Sequence, residues 1–192
     1  GPWDRVDCRM WLIDRDGTNK RPVGYWEPYP GAGAGIRVGH EYFTPDGAFI
    51  AFACFPETHG RQGTLRMRNV DTLEERNLGE YSNYNHFMSS PDGRFVVGDE
   101  CRGKDHSRIW LYDVEKRCET PLCRHDSSCQ PRRNRDTGGF STQDAHPHPL
   151  FAPDGRTVLF SSDMATGAGG NCSVYMTTID GAFDRGQTRV RP

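Results

Sequence analysis

The chain lacks any apolar run approaching the ~20 residues a bilayer span needs. It also lacks an excess of positive charge. Its formal net charge is −2, so no basic field is available for nucleic acid or an anionic membrane surface, and neither is expected as a partner. No convincing amphipathic helix of ordinary length appears. There is no zinc-type CxxC pair. The seven cysteines are odd in number and scattered, and Cys123 and Cys129, which flank His125, have five residues between them. The expectation is isolated thiols in a reducing, cytoplasmic compartment rather than a disulfide framework or a thiolate metal site. An initiating Met and a signal-peptide pattern are also missing, so residue 1 is expected to lie inside a longer protein whose remainder would hold any targeting signal. The composition says nothing about oligomeric state.

What the chain does have is turns. Its 22 glycines and 13 prolines suit many short strands. One unit recurs: Pro-Asp-Gly after an aromatic or Met-Ser-Ser segment, followed by an apolar run. It appears as FTPDG before AFIAFACF, MSSPDG before RFVVGDE, and FAPDG before RTVLFSSD. Pro presets φ and Gly accepts a positive φ, which is the chemistry of a tight turn. A third strand follows each hairpin (GTLRMRNVD, SRIWLYDVE, CSVYMTTID), and polar residues lead into a fourth. The repeat distances, 46 from Pro45 to Pro91 and 62 from Pro91 to Pro153, are those of propeller blades.

The expected fold is therefore all-β, a β-propeller segment of about three and a half four-stranded blades. Residues 1–30 would be the outer half of a blade and a linker. Residues 31–80, 81–125 and 143–185 would be complete blades, and 126–142, with Arg132, Arg133 and Arg135, a polar surface insert. The segment CRMWLIDRDG would be an exposed apolar edge.

Three histidines stand in register within this repeat. His40, His86 and His148 each lie five residues before the turn proline of their unit, at Pro45, Pro91 and Pro153. The strand before the turn is the innermost of a blade, so equivalent positions converge near the axis. His146 lies two residues before His148, and an extended strand would put both on one face. Gln143 could bring an amide oxygen to the same rim. A single such histidine is as readily a turn cap or pocket filler, but His86, His146 and His148 together point to metal ligation. Imidazole and amide donors with open water positions suit Mn²⁺ and similar octahedral ions; a closed tetrahedral zinc site is the competitor. Asp46, Asp92 and Asp154 are read as turn residues, Glu41 as structural, and most tryptophans as packing residues. Trp26 and Tyr29, in the loop GYWEPYPGAGAG, are the exceptions among the aromatics.

The segments GHEYFTPDG, NYNHFMSSPDG, QDAHPHPLFAPDGRTVLFSSD and RVDCRMWLIDRDGTN resemble signature segments of oligogalacturonate lyases. The resemblance runs over nearly the whole chain, and the His-Pro-His-Pro segment with its upstream Gln is its most specific part. Pro-Asp-Gly alone also occurs in other propellers, including TolB-like ones. The resemblance implies a seven-bladed ring with Mn²⁺ in its channel and metal-assisted β-elimination of short oligogalacturonides, giving 4,5-unsaturated uronates. It places metal ligands on His86, Gln143, His146 and His148, the catalytic base on His40, and a carboxylate-binding arginine on Arg9. It also implies that blades upstream of residue 1 complete the channel wall, so the isolated chain is expected to bind metal weakly and turn over little substrate. The competing readings are a non-catalytic TolB-like interaction module, which leaves the histidine register unexplained, and a zinc or iron hydrolase on the same scaffold.

Overall fold

A computed structural model of the chain describes residues 10–24, 37–55, 63–81, 84–101, 107–129, 131–133, 140–168, 170–180 and 189–190. They fall into two compact units, Gly1–Tyr81 and Ser82–Pro192. No helix among the described residues is long and apolar enough to cross a membrane.

In the first unit, β1 (Met10–Leu12) pairs antiparallel with β2 (Arg21–Gly24). A four-stranded meander follows: β3 (Arg37–Phe43), β4 (Phe49–Phe55), β5 (Gly63–Asn69) and β6 (Glu75–Tyr81). Its core is Val38, Ile50, Phe52 and Cys54 packed against Met10 and Val23 of the hairpin. The buried Arg68 side chain ties the two pieces, donating from Nη1 to the Val23 carbonyl while its other nitrogens hold Glu75. Trp11 of β1 and Ile13 just past it stay in solvent, 49% and 58% exposed, and Lys20 lies over the Trp11 ring.

The second unit opens with another meander, β7 (Tyr84–Ser89), β8 (Phe95–Glu100), β9 (Arg108–Asp113) and β10 (Cys118–Arg124). A short hairpin, β11 (Pro131–Arg133) with β12 (Phe140–Asp144), occupies the segment expected to be a loop. Then come β13 (Leu150–Phe151), β14 (Thr157–Ser162) and β15 (Ser173–Thr178), a sheet of three strands among the described residues. The segment β16 (Arg189–Val190) pairs with Cys118 and Glu119 of β10, not with β15. The core of this unit joins its two main sheets through Phe95, Val97, Ile109, Leu111 and Leu122 on one side and Phe151, Val158 and Phe160 on the other. Full burial of a side chain such as Val97, Ile109 or Val158 contributes about 1.5–3 kcal/mol each.

The Pro-Asp-Gly turns form as their chemistry dictates. Each glycine has positive φ (Gly47 69°, Gly93 71°, Gly155 67°) and donates its amide to the carbonyl three residues back. Each aspartate accepts local donors: Asp46 from Thr44 Oγ1 and the Ala48 amide, Asp92 from Ser90 Oγ and the Arg94 amide, Asp154 from the Arg156 and Thr157 amides. Those hydrogen bonds hold all three carboxyls below the usual range, so they are turn fasteners and not a catalytic cluster.

The thiol expectation is corrected. Cys101, just past β8, and Cys129, past β10, form a disulfide with Cα atoms 5.9 Å apart; Cys54, Cys118, Cys123 and Cys172 remain thiols. Residues far apart in sequence became neighbours because the β8–β9–β10 meander returns the chain to the same end of the sheet. Closing a loop across a separation of 28 residues restricts the unfolded chain, a contribution of about 3–4 kcal/mol. Cys101→Ser with Cys129→Ser should lower unfolding stability by about that amount in denaturant titrations, and reductant should lower the wild type equally. Unchanged wild-type stability under reductant would show that the bond contributes nothing.

Candidate metal centre

The register histidines are set by a repeated break in strand pairing. The β3–β4 ladder shifts register between Gly39 and Tyr42, bracketing His40, and the β7–β8 ladder shifts between Tyr84 and Phe87, bracketing His86. A bulge of this kind re-aims a side chain out of the alternating pattern. His40 and His148 both have positive φ, 57° and 45°. Such left-handed backbone costs a non-glycine residue free energy and is concentrated at functional sites. His146 and His148 do not share one face of an extended strand, as expected from their spacing. They lie on an irregular segment between β12 and β13, and its left-handed bend at His148 brings the rings together.

His86, His146 and His148 each offer a ring nitrogen, and the three lie within 4.8 Å of one another. His86 and His148 stack with centroids 3.6 Å apart and planes at 27°; His146 is tilted, its centroid 5.1 Å from His86 and 6.2 Å from His148. Partial burial, and then the neighbouring His86 imidazole, lower the pKa of His148, which favours the neutral, lone-pair-bearing ring. Donor type and spacing both fit a divalent cation. Three imidazoles within one ion's reach are a borderline-to-hard donor set without thiolate.

A buried carboxylate lies beneath this cluster. Asp99 of β8 is 0% exposed and accepts from the His86 amide at 2.7 Å and from the His148 amide at 3.1 Å, while its Oδ2 lies 3.0 Å from His86 Nδ1. Burial alone would push its carboxyl up; the hydrogen bonds and charge of His86 outweigh this and hold it below the usual range. Neither the turn repeat nor the histidine register marks Asp99. The available signal was an acid closing the apolar run FVVG. Beside it, Gly98 makes room for the Tyr84 ring: a Cβ there would come 2.4 Å from Tyr84 Cδ2. Tyr84 in turn donates from its hydroxyl to Glu119 at 2.7 Å.

The segment bearing His146 is anchored by a second network. Ser127 Oγ donates to the Ala145 carbonyl, and Asp163 beside it accepts from the Ser128 amide and hydroxyl. His125 is structural. It is 0% exposed, its Nδ1 accepts the Ser127 amide at 3.0 Å, and its Nε2–H donates to the Glu100 carbonyl at 2.8 Å. Burial, the larger influence, lowers its pKa despite that carbonyl. The unfolded imidazole titrates near about 6.5. Stability resting on the neutral ring is therefore full above that pH and falls as pH drops below it, because the unfolded chain takes up the proton first. His148 acts in the same direction. Denaturation midpoints should fall between pH 7.5 and pH 5, before most carboxylates titrate, and His125→Gln should flatten part of that slope. A wild-type midpoint constant over this range would contradict the assignment.

His40 is exposed in the first unit. The side chain of Gln143, whose backbone lies in β12, is outside the described residues, as are Arg9, Trp26 and Tyr29.

Comparison with known proteins decides the family. A family model described as oligogalacturonate lyase matches residues 1–183. The chain belongs to the oligogalacturonate lyase family. An oligogalacturonate lyase of Dickeya dadantii is 30% identical over 176 residues, and an oligogalacturonide lyase of Pectobacterium atrosepticum is 30% identical over 179. Each match covers 85% of this chain and 42% of the relative, so the chain spans less than half the length of these relatives. Among solved structures, an oligogalacturonate lyase in complex with manganese superposes with a TM-score of 0.75 at 31% identity, covering 93% of this chain and 43% of that one. The Vibrio parahaemolyticus oligogalacturonate lyase gives 0.72 at 28%, covering 93% and 44%. TolB from Acinetobacter baumannii gives 0.58 at 18%, covering 94% and 36%, a likeness of fold alone. The lyase-family chain is thus all-β, of the β-propeller class.

Proposed function

We propose that this chain carries the metal-binding part of an oligogalacturonate lyase acting on short oligogalacturonides by β-elimination. The observation that carries the reading is the convergence of His86, His146 and His148 in a member of that family. The family relative in complex with manganese supports Mn²⁺ as the ion. Bound here, a divalent cation would supply Lewis acidity toward a uronate carboxylate, offsetting the charge that builds when the neighbouring C5 proton leaves.

The protein's own residues would do the rest. His86, His146 and His148, with the Gln143 amide oxygen as the proposed fourth donor, are neutral. They leave the ion's charge undiminished, as a carboxylate cage would not. His40, exposed and held at a bulge with left-handed backbone, is the proposed base for the C5 proton. Arg9 is proposed to grip a substrate carboxylate through its two-pronged guanidinium, which keeps its charge at every working pH. Departure of O4, which takes up a proton from water, then leaves a C4=C5 double bond conjugated with the carboxylate.

The test is an ultraviolet assay for that conjugated product, with oligogalacturonides and the full-length protein, with and without added Mn²⁺. Metal-independent turnover, or none at all with metal bound, would overturn the reading. The 192-residue chain, which spans less than half the length of these relatives, is expected to show little activity alone. A role in pectin breakdown is proposed with it. The Cys101–Cys129 bond removes the thiol argument for a reducing compartment. The cytoplasmic placement is kept as a proposal, and recovery of the native protein in an extracytoplasmic fraction would refute it.

A further inference from the structure

Three donor groups, from two segments, meet on the single Asp99 carboxylate. One oxygen accepts the His86 amide; the other faces both His86 Nδ1 and the His148 amide. His86 belongs to β7 and His148 to the segment entering β13, so this one side chain pins two candidate ligands from neighbouring sheets to a common point. The fold does not require an acid there. Counting eight residues past each turn proline gives Ala53, Asp99 and Ser161, at matching positions in β4, β8 and β14. The other two sheets form with alanine or serine in that place. Burying a carboxylate opposes folding unless donors surround it, so a purely structural site would be better served by a smaller residue. The acid occurs in the one repeat where two of the clustered histidines adjoin it.

We propose that Asp99 is a positioning residue of the metal centre: it selects the His86 tautomer protonated on Nδ1, leaving the Nε2 lone pair for the cation, and anchors the His148 backbone beside it. This rests on the reading of His86, His146 and His148 as metal ligands. A neutral imidazole carries one N–H, and a carboxylate already accepting two amide hydrogens can only accept a third. The proton must then sit on Nδ1. Histidine ligands are oriented in this way by a partner on the other ring nitrogen. Asparagine at position 99 would have one accepting oxygen for three donors. If its amide group faced Nδ1 it would favour a proton on Nε2, the tautomer that cannot bind the ion; if it faced the His86 amide, two donors would oppose each other.

The experiment compares wild type and Asp99→Asn in the full-length protein. Mn²⁺ binding is followed through the electron paramagnetic resonance signal of the free ion, and the His86 tautomer in the metal-free protein through long-range ¹H–¹⁵N correlations. The expected result is a wild-type His86 protonated on Nδ1, and a folded Asp99→Asn protein with a mixed or Nε2-protonated His86 and Mn²⁺ affinity weaker by about 10–100-fold. A folded variant with wild-type affinity would overturn the inference, as would a wild-type His86 protonated on Nε2. The second measurement needs no variant, so it decides even where Asp99→Asn does not fold. A wild type that binds no Mn²⁺ would defeat the metal reading itself and this inference with it, a result distinct from failure at Asp99 alone.

Discussion

Replacing His146 or His148 with alanine in the full-length protein should release the metal and abolish turnover, with no loss of the folded state. Each contributes one of three imidazole nitrogens lying within 4.8 Å of one another, and the two remaining imidazoles with the proposed Gln143 amide would hold an ion weakly. Loss of electrostatic stabilisation at a developing charge costs at least ~10²–10³ in rate. Stability should change little, because both residues lie on the irregular segment before β13 and make no part of the Phe95–Phe160 core. Elemental analysis after dialysis, the ultraviolet assay and a thermal melt read the three effects separately. Stoichiometric metal in either alanine variant would remove that residue from the ligand set.

His40→Ala should behave in the opposite way toward the metal. His40 occupies the same register position as His86 and His148, but it belongs to the first unit and to no three-residue cluster found among the described residues. If it is the base, the variant keeps its Mn²⁺ and loses turnover by roughly 10²–10⁴-fold, the range of a positioned acid–base group. Metal loss on His40→Ala would instead make His40 a ligand and reverse the assignment of roles.

Those two roles illustrate how far local sequence reaches. Pro-Asp-Gly needs only its own dihedrals and its own aspartate to make a turn, so the three hairpins could be read from adjacent residues and were found where expected. The equal spacing of His40, His86 and His148 from those turns was equally local, and it marked two of the three clustered imidazoles directly. The route by which they cluster was not legible. Strand alternation suggested one shared face for His146 and His148, whereas a positive φ at His148 and a bulge around His86 aim the rings. Such bends are decided by what the segment packs against, here the network running through Ser127 and Asp163.

From the sequence alone follow the all-β class, the repeat, the turn positions, the family resemblance and the candidate ligands, because each depends on residue type at short spacing. Only the tertiary structure revealed the Cys101–Cys129 pair, the structural role of His125 and the carboxylate of Asp99 beneath two histidines. Each of these joins residues more than ten positions apart. A cysteine, a histidine or an acid carries no local mark of its distant partner, and the pairing exists only once the strands have paired and packed.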